Sequence, residues 1–273
     1  MEILILFQVF AFHLEKNWTQ YQWPKITTIV VTGDVEDKFY CIAHSYYIRL
    51  VLAAEIELAH LKNNATMKLW MISTVNLVKK YNLDGIFINF GDKLNKGSRD
   101  YHELTRMVRT SVSHFRNALP GCQISFTMPW TPSCKNDKCF DFLAIASVID
   151  LLFVESFNIY NDMQDGCVAT SSSPYQHVLT GLSDYIKLGV DSRKLVMGVP
   201  WYGFDYTCKR LYQDGGCELK NTNQIDSCSY PLARWIPYKE IVRRVSRSVT
   251  GRLWSDDRSA PYFVYMVRSY IGS

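Results

Sequence analysis

Apolar positions along this chain follow two rhythms. One is short runs of up to eight residues rich in β-branched and aromatic side chains: FQVFAF (7–12), ITTIVV (26–31), RLVLAAE (49–55), GIFINF (85–90), QISFTM (123–128), DLLFVES (150–156) and LVMGVPW (195–201). Such runs predict buried β-strands. The other is a helical period lying between several of them. Residues 67–81 place Trp70, Leu77, Val78 and Tyr81 on one side, and Leu104, Met107, Val108, Val112 and Phe115 form an i, i+3, i+4 stripe. Ile241, Val242, Val245 and Val249 form a third stripe.

Seven strands alternating with helices predict an α/β fold built on a parallel sheet. For 273 residues a TIM-type (β/α)8 barrel is the leading architecture, with the whole of 1–273 as one domain. A doubly wound sheet is the second choice, but no G-x-G-x-x-G follows the first strand and no Walker sequence is present. After the seventh run come a cysteine-containing insertion (204–237), one helix and LWSDDRSAPYFVYMVRSYIGS. The barrel is therefore expected to be truncated before strand eight.

Charge changes this picture little. The net charge of +4 is spread along the chain with no run of five basic residues, and KEIVRRVSR has the spacing of a solvated helix face. No nucleic-acid partner is implied. No stretch reaches the roughly 18 apolar residues of a membrane span. MEILILFQVFAF lacks a positive n-region and an A-x-A-like cleavage site, so it reads as a first strand and no signal peptide is visible. Nothing in the sequence sets an oligomeric state.

None of the eight cysteines has the C-x2-C spacing of a structural zinc site, so no metal is expected. Cys208, Cys217 and Cys228 share one polar segment that suggests a disulfide-stabilised loop, and Cys134 and Cys139 in CKNDKC can close a second. Asn17-Trp-Thr and Asn64-Ala-Thr are glycosylation sequons. Cysteines and sequons together point to a secretory or lysosomal lumen.

Four stretches carry a resemblance. DGIFINFGD, DLLFVESFN, LVMGVPWYGFDYTC and the LW-x-x-D-x-x-APYF segment resemble glycoside hydrolase family 18, in its di-N-acetylchitobiase branch, over nearly the whole chain. The resemblance implies a TIM-like barrel that acts on N-acetylglucosamine linkages in chitooligosaccharides or N-glycan cores. It also implies substrate assistance, in which the sugar's own acetamide oxygen is the nucleophile. No cofactor is then needed.

The family motif reads D-G-x-x-x-D-x-E, its last two acids spaced by two so that both point into the barrel. Carried over residue by residue, Asp84 keeps the first acid, Asn89 stands at the inner aspartate, and Gly91 stands at the proton donor. On strand six Phe157 replaces the family's tyrosine and Asn158 its acid. Losing a positioned general acid alone costs on the order of 100- to 10,000-fold in rate. The chain therefore reads as a pseudoenzyme that binds an N-acetylglucosamine-containing oligosaccharide, with hydrolysis lost or severely impaired.

Two acids compete for the missing role. Asp92 falls one residue late, and period-two alternation turns it away from the barrel. Glu155 precedes Phe157 by two, so both share an inward face where burial would raise a carboxyl's pKa. An active hydrolase using Glu155 is thus an alternative, and a truncated interaction or non-functional fragment is another. Trp130, Trp201, Tyr202 and Asp205 are the expected sugar contacts, as aromatic platforms and a hydrogen-bonding acid. His13 follows strand one and is expected simply to be hydrogen-bonded. His102 lacks the partner of an H-E-x-x-H site.

Overall fold

The computed structural model describes residues 8–13, 18–159, 168–212, 216–219, 233–266 and 269–272. It divides into two compact units, Met1–Val154 with Tyr185–Val196, and Glu155–Asp184 with Met197–Ser273.

The first unit carries the predicted strands. β1 (Phe10–Phe12), β2 (Thr28–Val31), β3 (Arg49–Ile56), β4 (Gly85–Phe90), β5 (Gln123–Pro129), β6 (Leu151–Glu155) and β7 (Leu195–Met197) lie side by side in chain order in one sheet. From β1 to β5 each pairs parallel with the next. The helices between strands are α1 (Asp37–Ser45), α2 (Leu58–Lys62), α3 (Asn64–Lys80), α4 (Arg99–Ala118), α5 (Phe142–Ala146) and α6 (Tyr175–Leu188). This is the TIM-type alternation. Among the described residues the parallel sheet has no strand after β7, in line with a barrel interrupted before strand eight.

Alternation along β4 sorts its side chains into two layers. Ile86, Ile88 and Phe90 are buried towards the helices, where Phe90 meets Phe140 at 5.7 Å. Phe87 points the other way. Its ring lies 6.5 and 5.3 Å from Phe10 and Phe12 of β1 and 5.9 Å from Phe153 of β6. Neither strand neighbours β4 in the sheet. Such cross-sheet contacts exist only if the sheet curls round its own interior, so the four rings form a filled layer inside the barrel.

A polar layer lies at the N-terminal end of the strands. Gln123 of β5 meets Thr28 of β2 at 3.4 Å, and Arg49 of β3 donates to Gln123 at 3.0 Å. Gly85 starts β4 here for a steric reason: a Cβ would fall 2.1 Å from the Gln123 carbonyl oxygen.

The helix stripes fared unequally. Leu104, Met107, Val108, Val112 and Phe115 of α4 are all buried, and Ser98 caps the helix by accepting from the Tyr101 N–H. In α3 the buried face is Met67, Met71, Thr74, Val75 and Val78, while the expected Leu77 is exposed. Apolar residues surround that helix on several sides, so spacing alone selected the wrong stripe. The third stripe is shorter than expected: α7 (Tyr238–Val245) buries Ile241, whereas Val242 and Val249 face solvent.

The second unit is an antiparallel sheet. β8 (Tyr202–Leu211) lies within it, joined by β9 (Cys217–Leu219), β10 (Ala233–Pro237), β11 (Leu253–Ser255), β12 (Ala260–Met266) and β13 (Ser269–Gly272). The order is β10-β8-β13-β12-β11, with β9 also on β8. It therefore extends well beyond the cysteine-bearing stretch 204–237. LVMGVPW is not one strand: β7 stops at Met197, and Pro200, with no N–H to give, separates it from β8. Phe204, Tyr206, Cys208, Cys217, Tyr262 and Val264 form a core in this unit.

Disulfides join Cys134 to Cys139 and Cys208 to Cys217, the second tying β8 to β9. Cys167 and Cys228 lie outside the described residues. Among the described residues no helix is long and apolar enough to cross a membrane.

Candidate active site

Asp84 opens the family motif but stands at the N-terminal end of β4. Its Oδ2 lies 2.8 Å from His44 Nε2 and accepts from the Leu50 N–H at 2.8 Å. Its backbone bridges β3 and β5, donating to Leu50 O at 2.7 Å and accepting from Gln123 N at 2.9 Å. Barrel chemistry belongs to the opposite, C-terminal face. At its own end of the strand Asp84 anchors α1 and two strands.

Asn89 and Gly91 do reach the C-terminal mouth. By period two they share the interior face of Phe87. Gly91 is exposed, and a Cβ built there meets nothing within 4 Å. Asn89 has a partner that the sequence reading missed. Glu55 of β3 is its register partner, and Asn89 Nδ2 donates to both carboxylate oxygens at 2.9 and 3.1 Å. The run RLVLAAE ended on this acid, but only cross-strand register could set it beside Asn89. Asp92 is turned away as expected, accepting from the Leu58 N–H that opens α2 at 3.0 Å.

Trp130, expected as a sugar platform, is only 9% exposed and carries the Lys135 ammonium over its ring at 5.0 Å. Little of its surface is open to solvent. His13 Nδ1 lies 3.1 Å from the Tyr21 hydroxyl, with the Phe39 ring at 4.5 Å. Burial lowers its pKa below the usual histidine value, against an opposing pull from Glu36. His102 sits in the first turn of α4. Asn64, the first residue of α3, is exposed, as a glycan acceptor must be. Asn17 lies outside the described residues.

In the second unit an aromatic group gathers round Tyr202. Its hydroxyl donates to Asn158 Oδ1 at 2.5 Å, and its ring lies 6.5 Å from Phe157 and 5.7 Å from Trp235. Asn158 holds a left-handed backbone (φ 58°), which asparagine tolerates better than most residues. Trp201 is 74% exposed, with the Tyr238 ring tilted against it at 5.0 Å. Glu155, the last residue of β6, is half-buried.

Asp205 is already engaged by the protein. Its Oδ2 meets Arg234 at 2.8 Å, Arg244 at 3.2 Å and the Tyr265 hydroxyl at 2.8 Å. At 9% exposure it is held between two guanidiniums within the second unit.

The parallel barrel, with the residues of its fourth strand at the mouth, defines the class. The chain belongs to the glycosyl hydrolases of family 18, whose family model matches residues 56–267. Within that family it is chitobiase-like. It is 36% identical over 261 residues to human di-N-acetylchitobiase, covering 95% of this chain and 68% of that one. It is 27% identical over 260 residues to probable di-N-acetylchitobiase 1 of Dictyostelium discoideum, covering 90% and 69%. In fold it matches the family 18 chitinase of Cycas revoluta, solved with (GlcNAc)3, with a TM-score of 0.72. That match has 11% identity and covers 96% of this chain and 86% of that one.

Proposed function

We propose that this protein binds N-acetylglucosamine-containing oligosaccharides and hydrolyses them weakly or not at all. One observation carries the reading: where the family motif sets an aspartate and a glutamate at the mouth, this chain sets Asn89 and Gly91, with open space around Gly91. A neutral amide keeps hydrogen bonding to an acetamide but supplies no charge to a developing cation. A glycine has no proton to give. The ligand class is supported by relatives named di-N-acetylchitobiase and by a chitinase of the same fold solved with (GlcNAc)3.

The test is thermal unfolding with and without chitotriose, followed by mass spectrometry of the sugar. Ligand at 100 times Kd stabilises by about 2.7 kcal/mol. For a chain of this size that is a rise of roughly 5–10 °C in Tm. The expected result is that rise with the sugar intact. No shift at millimolar chitotriose, in a sample shown to be folded, would sink the binding reading. A second reading keeps hydrolysis and assigns the acid to Glu155, favoured by its half-buried place two residues beyond the inward Phe153. Cleavage by the natural chain that disappears in Glu155→Gln would favour it.

The disulfides and the exposed Asn64 sequon support a lumenal site of action, lysosomal or secreted. Native protein is expected to carry a glycan on Asn64 and no free thiol at Cys134, Cys139, Cys208 or Cys217. Intact-mass measurement before and after deglycosylation and alkylation reads both. An unglycosylated, fully alkylatable chain would place it elsewhere.

A further inference from the structure

We propose that the outer side of α7, the connection that follows it and Trp254 form a docking surface for an anionic lipid bilayer. None of these residues is assigned to the sugar in the reading above.

Cations scattered along the sequence are gathered here by the fold. Between residues 238 and 254 stand Lys239, Arg243, Arg244, Arg247 and Arg252 against one acid, Glu240. That stretch has a net charge of +4, as much as the whole chain. Ile241 of α7 packs inward with Ile236 and Phe263. Lys239 and Arg243, two residues to either side of it, therefore lie on the opposite, outer side of the helix. Arg247 continues their row in the turn after the helix, where its N–H donates to Arg244 O at 3.0 Å.

Four of these charges are left for a partner. Arg244 is taken up by Asp205 and Glu240, at 3.2 and 2.9 Å. Arg243 meets Glu240 only at 4.0 Å, and among the described residues Lys239, Arg247 and Arg252 have no ion pair. All four are exposed.

Apolar side chains stand between the cations. Val242 beside Arg243 is exposed, Val249 is 71% exposed and Trp254 is 53% exposed. Register sets Trp254 on the α7 side of the sheet. It pairs with Pro261, which shares a face with the Phe263 packed on Ile241. Arg252, two residues before Trp254, falls on that face by the same alternation. Charge alone would suit any polyanion. Apolar tips between guanidiniums suit a bilayer surface, where lipid phosphates take the cations and an indole rests at headgroup level. The apolar side of α7 is closed against Phe263, so the helix lies on the lipid without sinking its own core face into it.

Co-sedimentation compares vesicles of equal parts phosphatidylserine and phosphatidylcholine with vesicles of phosphatidylcholine alone. The natural chain is expected to sediment with the mixed vesicles at physiological salt, to be released by high salt and to ignore the neutral vesicles. Arg243→Gln together with Arg247→Gln weakens that binding by roughly 20- to 30-fold, about fivefold for each cation near an anionic surface. Trp254→Ala weakens it by roughly five- to tenfold, the worth of about 50 Å² of ring taken out of water. Lys62→Gln together with Lys68→Gln removes the same charge from α2 and α3 and leaves binding unchanged. All these positions are exposed, and circular dichroism checks that each variant is folded. Equal losses in the two double variants would mean that net charge alone acts, and would overturn the docking surface. So would binding to soluble heparin without binding to the mixed vesicles, the mark of a polyanion site, or binding to neither.

Discussion

Gly91→Glu is expected to raise chitotriose cleavage at about pH 5 by roughly 100-fold or more over the natural chain, the lower end of what a positioned general acid contributes. The site is open to the change. A Cβ there touches nothing within 4 Å, and the position is exposed at the barrel mouth. Its backbone is not in the left-handed region that would strain an L-residue. By strand alternation the new carboxyl projects on the face of Asn89, about 7 Å further along. Glu55, held against Asn89 at 2.9 Å, then lies close by as a like charge. A like charge raises a carboxyl's pKa, which favours the protonated form that a donor needs. The sugar supplies its own nucleophile in this family, so a proton donor is the first part to restore. Gly91→Gln is the control of equal size without the proton. A folded Gly91→Glu protein no faster than this control would place the catalytic loss elsewhere, with the neutral Asn89 the next residue to change.

Phe87→Ala is expected to lower the stability of the barrel unit by about 3–5 kcal/mol, read as a lower denaturant midpoint. The ring is 4% exposed and touches the rings of two other strands, meeting Phe12 edge-on at 5.3 Å and Phe153 at 5.9 Å. Removing it leaves a cavity that the packed interior is poorly able to collapse around. Phe87→Leu keeps most of the volume and is expected to cost much less. A midpoint unchanged in Phe87→Ala would mean that the layer is not packed in solution. The same layer floors the mouth below Asn89, so this variant also weakens sugar binding.

Strands and their order were legible from local pattern. GIFINF and QISFTM became β4 and β5 almost to the residue, because burial on both faces demands unbroken apolar runs. The disulfide between Cys134 and Cys139 was legible for a similar reason: five residues apart, their meeting is a local matter. The α4 stripe was legible where the α3 stripe was not, since α4 has one apolar face and α3 has several.

The site was legible only as absences. Motif alignment set Asn89 and Gly91 where acids belong, and the fold carries both to the mouth. It also grouped Asp84 with them, although strand direction sends Asp84 to the other end of β4 and into the hands of His44. The partners of Asp205 were not legible either, since Arg234 and Arg244 lie 29 and 39 residues away in sequence.

By itself, then, the sequence determined the parallel barrel and its family, because periodicity and residue identity are local properties of the chain. Only the tertiary structure decided what surrounds each remaining polar group. Glu55 meets Asn89 across 34 residues through strand register, and Phe87 meets Phe153 across the barrel through curvature of the sheet. Register and curvature are set by the packing of all the strands together, and no single stretch of sequence records them.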